Sequence, residues 1–189
     1  MITNNLPYAK DGVKSNEPSL NTTNLYRRPE KCESTETVLF NKKMTNLIYC
    51  PITATGKYVI PGTVTTIGIE AFSRCKGLSS IIMPSSIKSI GCLAFENCIG
   101  LTSIMIPQSV EEIGYRVFSN CIGLRSIYVQ MESPLNFTED SEIFYRVDKN
   151  VCVLYVPQGT KRKYQRADQW KEFKNIVEMK SNFLASSNN

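Results

Sequence analysis

The side chains able to do chemistry in this 189-residue chain are thiols and carboxylates, because it holds seven cysteines and no histidine. Without an imidazole there is no Ser-His-Asp or Cys-His nucleophile pair and none of the commonest zinc sites. Cys75, Cys98 and Cys121 recur 23 residues apart, whereas Cys32, Cys50, Cys92 and Cys152 follow no metal-like spacing, and no CxxC pair occurs. An odd cysteine count argues against a fully paired disulfide framework. The regular column reads as buried thiols, which pack as small hydrophobes. Among the carboxylates, Glu111 and Glu112 are adjacent in an extended run, so they point to opposite faces and make no acid/base pair. Glu139, Asp140 and Glu142 could offer oxygen ligands to Ca²⁺, but the spacing of a calcium loop is missing and a solvated acidic loop is the expectation. No GxSxG elbow, Walker A loop or GxGxxG fingerprint appears. The expectation is a chain that is not an enzyme, with no metal and no cofactor.

What must position these groups is a repeat. Pro61, Pro84 and Pro107 are 23 residues apart, as are Ile67, Ile90 and Ile113; Gly68, Gly91 and Gly114; Phe72, Phe95 and Phe118; and Gly77, Gly100 and Gly123. A short fixed period marks a solenoid, whose strand-plus-turn units bury their apolar faces only by stacking on one another. Each unit opens on a strand such as LSSIIMP (78–84), LTSIMIP (101–107) or LRSIYVQ (124–130). Alternation sends Ile81, Met83, Ile104, Ile106, Ile127 and Val129 inward. A second extended run follows at 87–90 and 110–113, ended by the column glycine at an unusual backbone angle or a close approach. Phe and Cys of the next turn then plug the coil.

The ends depart from the period. Residues 1–36 are rich in Asn, Ser, Thr, Pro and Lys, and a disordered or extended arm is expected there. The solenoid is assigned to 37–157, opening on a β-hairpin cap built from Val38, Leu39 and Phe40 with Leu47, Ile48 and Tyr49. Gly56 marks the turn before a first array strand at 57–61. The fourth coil carries a bulge at 132–141, which stretches the Phe118 to Phe144 step to 26 residues, and 151–157 forms the last strand. Residues 158–179 are a short helical C-terminal cap in which Trp170 is buried over the open core, and 180–189 form a disordered tail.

The surface suggests one candidate site. Alignment on the proline column puts Val59, Ile82, Met105, Tyr128 and Tyr155 side by side on an exposed sheet face, with Lys57, Ser80, Ser103, Ser126 and Val153 beside them. An apolar and aromatic stripe in water marks a contact site, and tyrosine supplies area at low entropic cost. The net charge of +5 is concentrated in 157–189, with seven basic and three acidic residues, and reads as a solvated helix face. The repeats lack the basic face with interleaved aromatics of a nucleic-acid binder, so none is expected. No run approaches the roughly 18 apolar residues of a membrane helix, and 1–20 hold no apolar signal core. The expectation is a soluble chain without membrane insertion, and a monomer.

The unit P-x-S-[IV]-x-x-I-G-x-x-[AV]-F-x-x-C-x-G-L-x-S-I, at 84–104 and 107–127, resembles the BspA-type leucine-rich repeat. The segment 147–178 is similar to the terminal cap of bacterial surface members. The resemblance covers about residues 38–179 and implies a right-handed leucine-rich repeat solenoid, mainly β with short helical turns. It further implies an adhesin-like, non-enzymatic module at the cell surface or outside the cell, with a protein or glycan ligand, host-derived ones included. The alternative is a structural spacer within a larger surface protein.

Overall fold

The computed structural model describes residues 37–180, so the expected arm at 1–36 and nearly all of the tail at 180–189 lie outside the described residues. An antiparallel hairpin comes first, β1 (Leu39–Phe40) against β2 (Asn46–Tyr49). Long and short strands then alternate through β3 (Thr55–Val59), β4 (Thr66–Ile67), β5 (Gly77–Ile82), β6 (Ser89–Ile90), β7 (Ser103–Ile106), β8 (Glu112–Ile113) and β9 (Ser126–Val129), after which a second long strand, β10 (Val153–Val156), follows directly. A one-turn helix, α1 (Lys161–Tyr164), and a last strand, β11 (Asn175–Glu178), end the array. The long strands form one parallel sheet in the order β11-β10-β9-β7-β5-β3, and the short ones form a second in the order β1-β2-β4-β6-β8.

This is the solenoid that the 23-residue period demands, with its core between the two sheets. The inward residues Ile81, Ile104, Ile106, Ile127 and Val129 are all buried. Between them runs a ladder of rings: Phe72 on Phe95 at 5.2 Å, Phe95 on Phe118 at 5.4 Å and Phe118 on Phe144 at 5.8 Å, each pair nearly parallel. Trp170, fully buried as expected, meets the last rung at 5.1 Å.

Two expectations need correction in their detail. The second run of each coil is a strand only over its last two residues, because Ile87 and Val110 donate their amides back to Pro84 and Pro107 and spend the first half of the run in a turn. The cap is not only helical. After α1 the chain returns as β11, pairing Asn175, Ile176 and Val177 with Val153, Leu154 and Tyr155 and adding a sixth strand to the main sheet.

The glycine columns answer the question of angle against approach. Gly91 and Gly123 do not adopt a left-handed backbone; a Cβ on Gly91 would lie 2.6 Å from the Ile69 nitrogen, and one on Gly123 would lie 2.2 Å from the Ile99 carbonyl oxygen. Close coil-to-coil approach is the reason for glycine there. The left-handed angles fall instead on residues with side chains, in two columns: Glu70, Leu93, Arg116 and Glu142, and Arg74, Asn97, Asn120 and Arg146. In the first three residues of each column the amide donates to the next coil, as in Leu93 to Tyr115 O at 2.9 Å and Asn97 to Ser119 O at 2.9 Å. Gly56, expected in a turn, has φ +74 inside β3, where the register with β5 shifts.

Candidate binding face

The main sheet brings the five expected residues together. Val59 pairs with Ile82, Met105 with Tyr128, and Tyr128 with Tyr155, while the pairing of Ile81 with Ile104 sets Ile82 beside Met105. Strands in such a ladder lie about 4.8 Å apart, so the row is continuous. Val59 and Ile82 are exposed at 58% and 40%, and Met105, Tyr128 and Tyr155 are half-buried by their neighbours. The Tyr128 and Tyr155 rings stack at 4.5 Å and 8°. Parallel strands in register impose this, because equivalent side chains leave the sheet in the same direction.

The sequence reading missed Val177. Its pairing with Tyr155 makes it the sixth rung, 43% exposed. The signal lay in the β-branched pair Ile176-Val177 beside a buried/exposed alternation, which is a strand pattern. The adjacent row runs Lys57, Ser80, Ser103, Ser126, Val153 and Asn175, all in register. Lys57 is the one charge in the two rows. A low, hydroxyl-bearing strip with Lys57 at one end therefore borders an apolar one.

The bulge at 132–141 is not a free loop. Three side chains of the cap reach its backbone carbonyls, Lys163 Nζ donating to Glu132 at 2.9 Å, Trp170 Nε1 to Leu135 at 3.1 Å and Gln169 Nε2 to Glu139 at 3.0 Å, and a fourth, Tyr164 Oη, donates to Met131 just before it at 2.7 Å. Its acidic residues do not converge. Glu142 is engaged by Arg116 and by the Tyr115 hydroxyl at 3.0 Å, and the Arg116 guanidinium holds its carboxyl below the usual range. Arg116 also lies over the Tyr115 and Tyr145 rings, at 5.0 and 5.3 Å. Among the described residues, no three His, Cys, Asp or Glu gather as a metal site would require. Glu111 and Glu112, expected on opposite faces, are both exposed because only Glu112 is in the strand; Glu111 pairs with Lys88 at 2.7 Å.

The thiol column is structural. Cys98 and Cys121 donate to the Phe72 and Phe95 carbonyls, each at 3.0 Å, and Cys75 lies 3.5 Å from the Cys50 carbonyl. Burial pushes the Cys98 thiol up to about 12 and raises Cys121 as well, while the contact with Cys50, then burial, raises Cys75. A thiol held protonated is neither nucleophile nor metal ligand. All six cysteines among the described residues are free. No helix among those residues is long and apolar enough to cross a membrane.

Residues 42–151 match the BspA type leucine-rich repeat region in six copies. The chain belongs to the BspA-type leucine-rich repeat family. Similar solved structures include a leucine-rich repeat protein from Eubacterium ventriosum, 28% identical with a TM-score of 0.51, over 64% of this chain and 31% of that one. Another is a leucine-rich cell surface protein from Faecalibacterium prausnitzii, 26% identical at a TM-score of 0.51, over 76% of this chain and 38% of that one. The pneumococcal vaccine antigen PcpA shares the fold at 17% identity and a TM-score of 0.52, over 78% of this chain and 47% of its own. This chain thus spans less than half the length of each. No curated protein matches it. A repeat family of this kind is consistent with a protein-interaction module.

Proposed function

We propose that this BspA-type chain is a non-enzymatic binding module, displayed at the cell surface or outside the cell, that recognises a protein partner through the row from Val59 to Val177. The carrying observation is the six-rung row itself, continuous across the parallel sheet and carrying the stacked Tyr128 and Tyr155 as its fourth and fifth rungs. Contiguous exposed apolar surface of this kind marks contact sites, and tyrosine is enriched among residues that dominate interface energetics. The ring geometry favours protein over glycan. Tyr128 and Tyr155 already cover one face of each other, with Met105 and Val177 as the next rungs, so a partner meets ring edges. A sugar ring stacks on an open aromatic face, whereas ring edges and aliphatic rungs suit the apolar side chains of a protein surface.

The test is direct binding to a panel of extracellular-matrix proteins and glycans, with a Tyr128→Ser/Tyr155→Ser variant of verified folding in parallel. A protein should bind, and the variant should bind at least about tenfold more weakly, two hot-spot truncations of about 1 kcal/mol or more each. Equal affinity of the two forms would overturn the assignment of this face. No binding by either would favour the spacer role.

A further inference from the structure

The main sheet stops at β3, and no described strand pairs with its outer edge. Ile60 donates its amide to Ile82 O at 3.0 Å, toward β5. Backbone groups alternate sides along a strand, so the N–H and C=O of Lys57 and Val59 point away from β5. The corresponding edge of the second sheet is covered by β1, and the opposite end of the array is sealed by Trp170, Phe173, Ile176 and Met179, all buried. In β3 and just before it, by contrast, Tyr58 and Ala54 remain only partly buried. An open edge beside half-covered apolar side chains is a template for one more strand.

We propose that the β3 edge is a docking site for an extended acidic segment of a partner protein, which joins the main sheet as a further strand. Lys57 decides the partner's charge. It is the one charged residue of β3 and sits at its centre. A second copy of this chain, paired about a twofold axis there, would set Lys57 against Lys57, and like charges directly opposite are destabilising. A carboxylate in that place pairs instead. The next residue of the incoming strand turns inward beside Tyr58, whose ring meets Phe72 edge-on at 5.6 Å, the first contact of the ring ladder. An apolar side chain there completes the cover of the core. The fitting sequence alternates acidic and apolar residues, with the main-chain bonds giving affinity and alternate side chains giving specificity.

The full chain would be titrated with a fluorescent seven-residue peptide alternating Val and Glu, and with its Lys counterpart. The acidic peptide should bind and the basic one should not, and Lys57→Glu should reverse the preference. Val59→Pro removes an outward N–H that serves no ladder bond, a position where an edge strand tolerates proline. It should weaken the acidic peptide about fivefold, as for one hydrogen bond, with an unaltered thermal melt. The Tyr128→Ser/Tyr155→Ser variant should bind this peptide as the parent does, which separates the edge from the sheet face. Equal binding of both peptides, or of neither, overturns the proposal, and so does a self-associated dimer in sedimentation that Val59→Pro dissociates.

Discussion

At Gly123 a single added methyl group would sit 2.2 Å from the Ile99 carbonyl oxygen, whereas at Gly62 it would meet nothing within 4 Å. Backbone cannot retreat as a flexible side chain can, so Gly123→Ala should cost about 1–3 kcal/mol and Gly62→Ala less than about 0.5 kcal/mol. Urea unfolding of the pair measures both. The cysteines carry a pH signature. Cys98 is raised from 9.0 to about 12 in the folded chain, so the unfolded chain releases that proton first. Stability from this group is fully present below pH 9 and is lost as pH rises from there through about 12. Cys121 shifts the same way. Denaturation midpoints across pH 8 to 11 should fall at the alkaline end. In the native protein iodoacetamide should label half-exposed Cys92 well before Cys98 or Cys121, which react only on unfolding. A pH-independent midpoint would mean that the column is ionised or open.

The cap and the bulge behave as one element. Tyr164, Trp170 and Gln169 hold carbonyls across a separation of about 30 residues, and Phe137 and Phe144 meet Trp170 at 5.6 and 5.1 Å. Tyr164→Phe keeps the packing but leaves the buried Met131 carbonyl without its donor, an expected loss of about 1–3 kcal/mol. Trp170→Ala also empties the end of the ring ladder and should cost about 3–5 kcal/mol. Hydrogen exchange should show 131–139 deprotected in both variants, with β5 and β7 protected. Protection of 131–139 in the Trp170 variant would show that the bulge holds itself. The sequence identified both pieces, as a lengthened fourth coil and an apolar C-terminal segment with Trp170. Their mutual clasp was not legible, because hydrogen bonds from side chain to backbone carbonyl leave no periodic trace in the chain.

For the whole molecule, the proposed function rests on rows that exist only when coils stack. Of the affinity expected for a protein partner, the greater part should follow Tyr128 and Tyr155, and Val177→Ser should weaken binding by about two- to fivefold if the row is used to its sixth rung. An affinity unchanged by Val177→Ser places the partner on the earlier rungs only. The repeat was readable from residues: equal spacing of Pro, Gly, Phe and Cys fixes the stacking, and alternation within LSSIIMP and LTSIMIP fixes which side chains face the core. Five rungs of the row followed from the same register. The sixth did not, because β11 lies outside the period and joins the sheet by pairing with β10. The sequence by itself determined the solenoid, its core and most of its outward row, since these depend on local alternation repeated at a constant interval. Tertiary structure alone decided which glycines answer to coil contact, how the cap fastens the bulge, that Glu142 turns to Arg116 and not to its acidic neighbours, and which sheet edge no described strand covers. Each of these depends on the distance between atoms far apart in the chain, a quantity that spacing along the sequence does not carry.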